Sequence, residues 1–320
     1  MSEGFAPAWL EFEKELGERP LLYGPVEKCV EGFTRIGGLM VSKYTFPAPD
    51  PAVKTEEKTT EAGLKVVVYT PVDYKGGKPV GVYFHGGGWA MGDVAGDDPF
   101  CRAISKSGDV VVVSVEYGLA PQNKHPGLID DCWKGLQWTL KNSKVLGGVE
   151  GKIFTAGVSA GGQLALGLAL KAVDEGLGGS LVGVVALVPA TVHPDGVPSN
   201  LKAKYTSYNE HDGHTINTGS AMRAFWDAFG PPPKDVYASP LLHDKIKDLK
   251  KVYIAVAGHD TLRDDGLLFK QKLDDNRVPT KFDFYEGYPH YHWTWPSTKL
   301  DAPRQEFLSN LEKGVKFVTS

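Results

Sequence analysis

Six short runs of apolar residues recur along the chain, at 80–84, 110–115, 152–156, 181–188, 252–257 and 281–285. Each is rich in Val, Ile, Phe or Tyr, and most are apolar without a break rather than at every second position. Strands covered on both faces read this way, since neither face meets water. Between the runs lie stretches with helical spacing, at 99–107, 129–141, 162–174 and 263–276. Strands alternating with helices predict a parallel sheet built of βαβ units. A further run, 64–69, reads as an additional strand, antiparallel and at the sheet's edge.

Two regions break this rhythm. Residues 1–45 include a helical stretch with Trp9, Phe12 and Leu16 along one face. Residues 192–238 are rich in Pro, Asn, His and aromatics and include a second helix, 220–229. Neither fits a βαβ unit, so both are expected to form a cap over one single domain spanning 1–320.

Composition narrows the class. The chain has 320 residues, 42% of them hydrophobic and 23% charged, which suits a globular domain with a sizeable core. Its net charge of −4 and the lack of a Lys/Arg block speak against a nucleic-acid partner. No run reaches the ~20 apolar residues of a membrane span. The start, MSEGFAPAWL, has no basic–apolar signal pattern. Three scattered cysteines, Cys29, Cys101 and Cys132, fit a reducing compartment better than a disulfide framework. The expected location is cytoplasmic.

The chemistry concentrates at four loops. Gly157-Val158-Ser159-Ala160-Gly161-Gly162 follows a strand and opens a helix, the setting that turns a G-x-S-x-G pattern into a nucleophile turn. The helix N-terminus behind Ser159 favours developing negative charge. His85-Gly86-Gly87-Gly88-Trp89 follows another strand. Its bare amides, with the N–H of Ala160, suit an oxyanion hole, and Gly86 and Gly87 are assigned as donors. Asp260 lies just past the strand 252–257, where open α/β sheets place their ligands. Asp264 and Asp265 read as dipole-complementing residues of the next helix.

The general base follows the last strand, in Gly287-Tyr288-Pro289-His290-Tyr291-His292. His290 is preferred, because it comes sooner and Pro289 stiffens its approach; His292 packs beside it or lines the pocket. Trp89, Tyr291 and Trp293 are assigned to the substrate pocket, against ordinary packing as the equal alternative. There are nine histidines, among them His211 and His214, but no H-E-x-x-H or C-x-x-C, so no catalytic metal is expected. Ser199-Asn200-Leu201-Lys202 matches S-x-x-K without the companion K-T-G and reads as chance.

With HGGGW at 85–89, GVSAGG at 157–162, HDTLRDDG at 259–266 and GYPH at 287–290, the chain resembles the hormone-sensitive-lipase family of α/β-hydrolases. Within it, Trp9-Leu10-Glu11-Phe12, Val192-His193-Pro194 and GYPHYHW are similar to fungal esterases of the versiconal hemiacetal acetate esterase type. Gly118 and Gln122 replace the charged pair of the family's Y-R-L-A-P-E. The resemblance implies an α/β-hydrolase fold with a mostly parallel eight-stranded sheet and helical cap. It also implies a triad of Ser159, Asp260 and His290, and a cytosolic enzyme without cofactor. Such an enzyme removes a short acyl group, acetyl among them, from a small apolar or aromatic ester in secondary metabolism. A homodimer is compatible with the pattern. Two rival readings share the same residues: a non-hydrolytic acyltransferase or cyclase, and a receptor-like binding module, which the presence of His290 disfavours.

Overall fold

The computed structural model describes residues 4–320. Eight strands form one sheet: β1 (Val53–Thr59), β2 (Lys65–Pro71), β3 (Val80–Phe84), β4 (Val112–Val115), β5 (Ile153–Val158), β6 (Leu181–Leu187), β7 (Val252–Ala257) and β8 (Thr280–Tyr285). Their spatial order is β1-β2-β4-β3-β5-β6-β7-β8. β1 with β2 and β2 with β4 run antiparallel, and the other pairs are parallel.

The unbroken apolar runs follow from burial on both faces. In β7, Val252, Ile254 and Val256 join one core cluster, while Tyr253, Ala255 and Ala257 join the other. Helices α3 (Asp98–Gly108) and α9 (Asp301–Thr319) contribute to the second cluster. Helices α4 (Gly127–Asn142), α5 (Ala160–Asp174) and α8 (Arg263–Asp275) contribute to the first. This is the two-faced cover that βαβ crossovers produce.

The run at 64–69 becomes β2, antiparallel as expected but second from the edge. The edge belongs to β1, VKTEEKT, of which only Val53 is buried. A strand exposed on both faces carries no apolar alternation to read.

The two arrhythmic regions meet over the C-terminal ends of the parallel strands. The first holds α1 (Pro7–Leu16) and α2 (Val26–Lys43); the second holds α6 (Ser207–Glu210) and α7 (Gly219–Phe229). The Ala6 N–H donates to Gly287 O at 2.8 Å, just ahead of His290. The Leu22 N–H donates to Ile216 O at 3.0 Å, joining the two regions to each other. Helix α7 begins on a Thr218 cap, whose Oγ1 accepts the Ala221 N–H, and ends at a left-handed Gly230. Its Trp226 and Phe229 pack on Trp89, 4.4 and 4.9 Å between ring centres.

Candidate active site

β5 lies between β3 and β6, with Gly157 abreast of Phe84 and Ala186. The chain then turns sharply through Ser159, at φ 57° and ψ −119°, into α5. A β-carbon at Gly157 would lie 2.2 Å from Gly161 O, and one at Gly161 would lie 1.9 Å from Phe84 O. Only glycine fits at either position, and this crowding lets the turn close with its serine raised off the strand.

The loop after β3 is clamped from several sides. His85 Nδ1 donates to Gly86 O at 2.7 Å, and Tyr117, stacked on that imidazole, donates its hydroxyl to His85 O at 2.7 Å. The Gly86 N–H donates to Asp97 Oδ2 at 3.0 Å, and the Tyr83 hydroxyl donates to the same oxygen at 2.8 Å. Burial pushes the Asp97 carboxyl above its ordinary range. This corrects one assignment: the Gly86 amide is engaged by Asp97 and is not free to hold an oxyanion. The N–H groups of Gly87, Gly88 and Ala160 have no acceptor among the described residues. Gly88, not singled out from the sequence, thus has its amide unpaired where that of Gly86 is engaged.

Asp260 and His290 are joined. His290 Nδ1 donates to Asp260 Oδ2 at 2.5 Å, and the two residues are 2% and 0% exposed. Backbone bonds fix their loops side by side: Gly258 N to Tyr285 O at 3.0 Å, and His259 N to Tyr288 O at 3.0 Å. The other carboxylate oxygen of Asp260 accepts the Leu262 N–H at 3.0 Å and the Asn217 amide at 3.1 Å. His290 Nε2 is buried and has no hydrogen-bond partner among the described residues. No hydrogen bond joins it to Ser159, whose residue is 5% exposed. Apo sites often hold such contacts open until substrate arrives.

His292 is a packing residue. It is fully buried, its ring stacks on Tyr288 at 4.5 Å, and burial pushes its pKa down to about 3. It stays neutral at ordinary pH.

The three residues assigned to the substrate pocket part company. Trp89 is fully buried, donates Nε1–H to Gln163 Oε1 at 2.9 Å and packs against Trp226 and Phe229 of α7. Trp293 lies flat on Phe307 of α9, 3.9 Å between ring centres and 1° from parallel, committed to the helix interface. For both, these contacts match the ordinary-packing alternative, since large aromatic rings gain most where both faces are covered. Tyr291 reaches the loop after β3. Its hydroxyl would lie 1.8 Å from a β-carbon at Gly86, so glycine there makes room for the phenol.

Asp264 and Asp265 do more than answer a helix dipole. Asp264 accepts the Thr206 and Ser207 N–H groups at 2.7 and 2.8 Å. Asp265 accepts the Thr191 N–H at 2.7 Å and the Tyr205 hydroxyl at 2.8 Å, and burial pushes its carboxyl up to about 7. Together they tie the 191–207 segment to α8. His211 lies 2.8 Å from an Arg263 nitrogen, and no cluster suited to a metal occurs among the described residues. The three cysteines are buried and free. No helix is long and apolar enough to cross a membrane.

The chain is similar over most of its length to proteins of one family. Residues 81–294 match the family described by the alpha/beta hydrolase fold. The chain is 41% identical over 320 residues to a versiconal hemiacetal acetate esterase of Aspergillus parasiticus, covering 100% of both. It is 43% identical over 291 residues to a versiconal hemiacetal acetate esterase of Emericella nidulans, covering 90% of this chain and 99% of the relative. Among solved structures, a vibralactone cyclase superposes with a TM-score of 0.85 at 25% identity, covering 98% and 95% of the two chains.

Proposed function

Because the chain belongs to the α/β-hydrolase family, on its hormone-sensitive-lipase branch, and is a carboxylic ester hydrolase, we propose that Ser159, His290 and Asp260 carry its reaction as nucleophile, base and acid. The observation that carries the reading is the buried His290–Asp260 pair with its free Nε2, taken together with a serine on a strained strand–helix turn.

The steps follow from these groups. His290 Nε2 accepts the Ser159 proton as Oγ attacks the ester carbonyl carbon. The carbonyl π electrons move to oxygen, and the N–H groups of Gly87, Gly88 and Ala160 hold the resulting oxyanion, each such donor being worth about 3 kcal/mol in the transition state. Asp260 fixes the imidazole tautomer and balances the imidazolium. The imidazolium returns the proton to the departing alcohol, leaving an acyl-serine. Water, deprotonated by His290, then releases the acid and restores Ser159.

We assign a short acyl group. Two considerations support it: the relatives are named for an acetate ester, and Ser159 and His290 lie almost wholly under cover. The regions 4–45 and 192–238 serve as that cap, and the alcohol portion is small and apolar or aromatic. Activity on p-nitrophenyl esters from two to twelve carbons tests this. Turnover is expected to fall with chain length and to vanish in a folded Ser159→Ala variant; normal turnover in that variant would refute the assignment.

A second reading has one observation in its favour, the likeness to a structure named a cyclase. An acyl-serine can be released by an alcohol as well as by water. Product analysis with and without an added alcohol separates the two, since hydrolysis leaves the acyl group only as the free acid, transfer places it on the added alcohol, and cyclisation closes it onto a hydroxyl of the substrate itself.

A further inference from the structure

The loop between α6 and α7 places Thr215, Ile216, Asn217 and Thr218 against the loops that carry Asp260 and His290. Asn217 Nδ2 donates to Asp260 Oδ1 at 3.1 Å. Its Oδ1 accepts the Thr215 hydroxyl at 2.9 Å, and its backbone carbonyl accepts the Thr261 hydroxyl at 2.7 Å. Thr215 Oγ1 in turn accepts the His290 N–H at 3.0 Å. One amide and one hydroxyl thus bridge the acid loop and the base loop.

The polarity of the chain is fixed by its ends. A carboxylate can only accept, so the amide nitrogen of Asn217 must face Asp260 and its oxygen must face Thr215. The Thr215 hydroxyl has one proton, given to that oxygen, so a lone pair is left for the His290 N–H. Thr215 and Asn217 are 1% and 5% exposed, and water cannot easily replace either bond. The same segment anchors the N-terminal region. The Leu22 N–H donates to Ile216 O at 3.0 Å, and the Thr218 hydroxyl donates to Leu22 O at 2.5 Å.

We infer that Thr215 and Asn217 are positioning residues: Asn217 turns the Asp260 carboxylate so that Oδ2 faces the imidazole, and Thr215 sets the backbone of His290. The inference rests on the triad reading above. Neither residue touches the reacting atoms. Both belong to the cap rather than the sheet, so docking of the cap and the N-terminal region is built into the geometry of the catalytic pair.

The test compares Thr215→Val, Thr215→Ser and Asn217→Ala with wild type on p-nitrophenyl acetate, with Ser159→Ala as control and thermal midpoints measured alongside. Loss of a hydrogen bond in a charged network is expected to lower kcat roughly ten- to hundredfold in Thr215→Val and Asn217→Ala, with KM nearly unchanged. Thr215→Ser keeps the hydroxyl and should recover most of kcat. A packing role demands the reverse order, since Val keeps the volume of Thr and Ser leaves a methyl-sized hole. The double variant Thr215→Val/Asn217→Ala should be scarcely slower than either single one, because the two act as a unit. Wild-type kcat in folded Thr215→Val or Asn217→Ala, or Ser slower than Val, would overturn the inference while leaving the triad intact. Turnover by Ser159→Ala would instead overturn the triad reading, and the inference with it.

Discussion

At φ 57° Ser159 occupies backbone space that side chains rarely adopt, a strain of about 1–3 kcal/mol that the surrounding turn must hold. The turn holds it through glycine contacts too close for any β-carbon. Gly161→Ala would drive a methyl into the Phe84 and His85 carbonyls. We expect it to lower the thermal midpoint by about 5 °C or more, or to prevent folding; an unchanged melting curve would show that the turn has slack. At the other end of the relay, Asp260→Asn keeps the shape but spoils the imidazole tautomer. A loss of about 10³–10⁴ in kcat is expected, with near-native stability. The three proposed triad residues were legible because each follows its strand at a motif that only a few chemistries use. Thr215, Asn217 and Asp97 were not. They are ordinary polar residues without a motif, and their roles exist only once distant loops meet. Gly86 was misread for a related reason: sequence offers three adjacent amides, and only the approach of Asp97 decides which one is occupied.

Elements were readable where burial imposed a pattern. The six runs all became strands; five are inner strands, covered on both faces and therefore apolar, while the sixth, β8, is the edge strand, with only Tyr285 fully buried. β1 left no such trace. Helix α9 did leave one, with Pro303, Phe307, Leu311 and Val315 buried four residues apart, though it was not singled out beforehand. The aromatic residues near His290 illustrate the opposite problem. Composition marks them as apolar and large, but only packing tells whether a ring meets the loop after β3, as Tyr291 does, or a helix, as Trp293 does. In α7, Trp226 carries the docking onto Trp89. Trp226→Ala is therefore expected to destabilise the protein by about 3–5 kcal/mol, visible as a lower urea midpoint. A loss below about 1 kcal/mol would mean that α7 is held by something else.

Across the whole molecule, buried ionisable groups set the response to acid. The fold admits His292 only as neutral imidazole, protonating near 3, whereas an unfolded chain takes up that proton near 6.5. His211, buried beside Arg263, behaves alike at about 4. Both contribute stability that is fully present above pH 6.5 and drains away as pH falls below it. Asp265, pushed up to about 7, works the other way and favours the fold as pH falls from 7 towards 3.8. Comparison with His292→Phe isolates one contribution. Between pH 6.5 and 4 the wild type should lose more stability than the variant; parallel curves would remove His292 from the balance. The larger design we propose is a sheet that delivers four loops to one edge, with the N-terminal region and the segment between β6 and β7 as a cap over them. Its most direct test is to treat the protein with diethyl p-nitrophenyl phosphate and locate the label by peptide mass. A single phosphoryl adduct on Ser159, formed in step with loss of p-nitrophenyl acetate hydrolysis, is expected. Hydrolysis that continues after full labelling of Ser159, or an inactivating adduct on another residue, would contradict it.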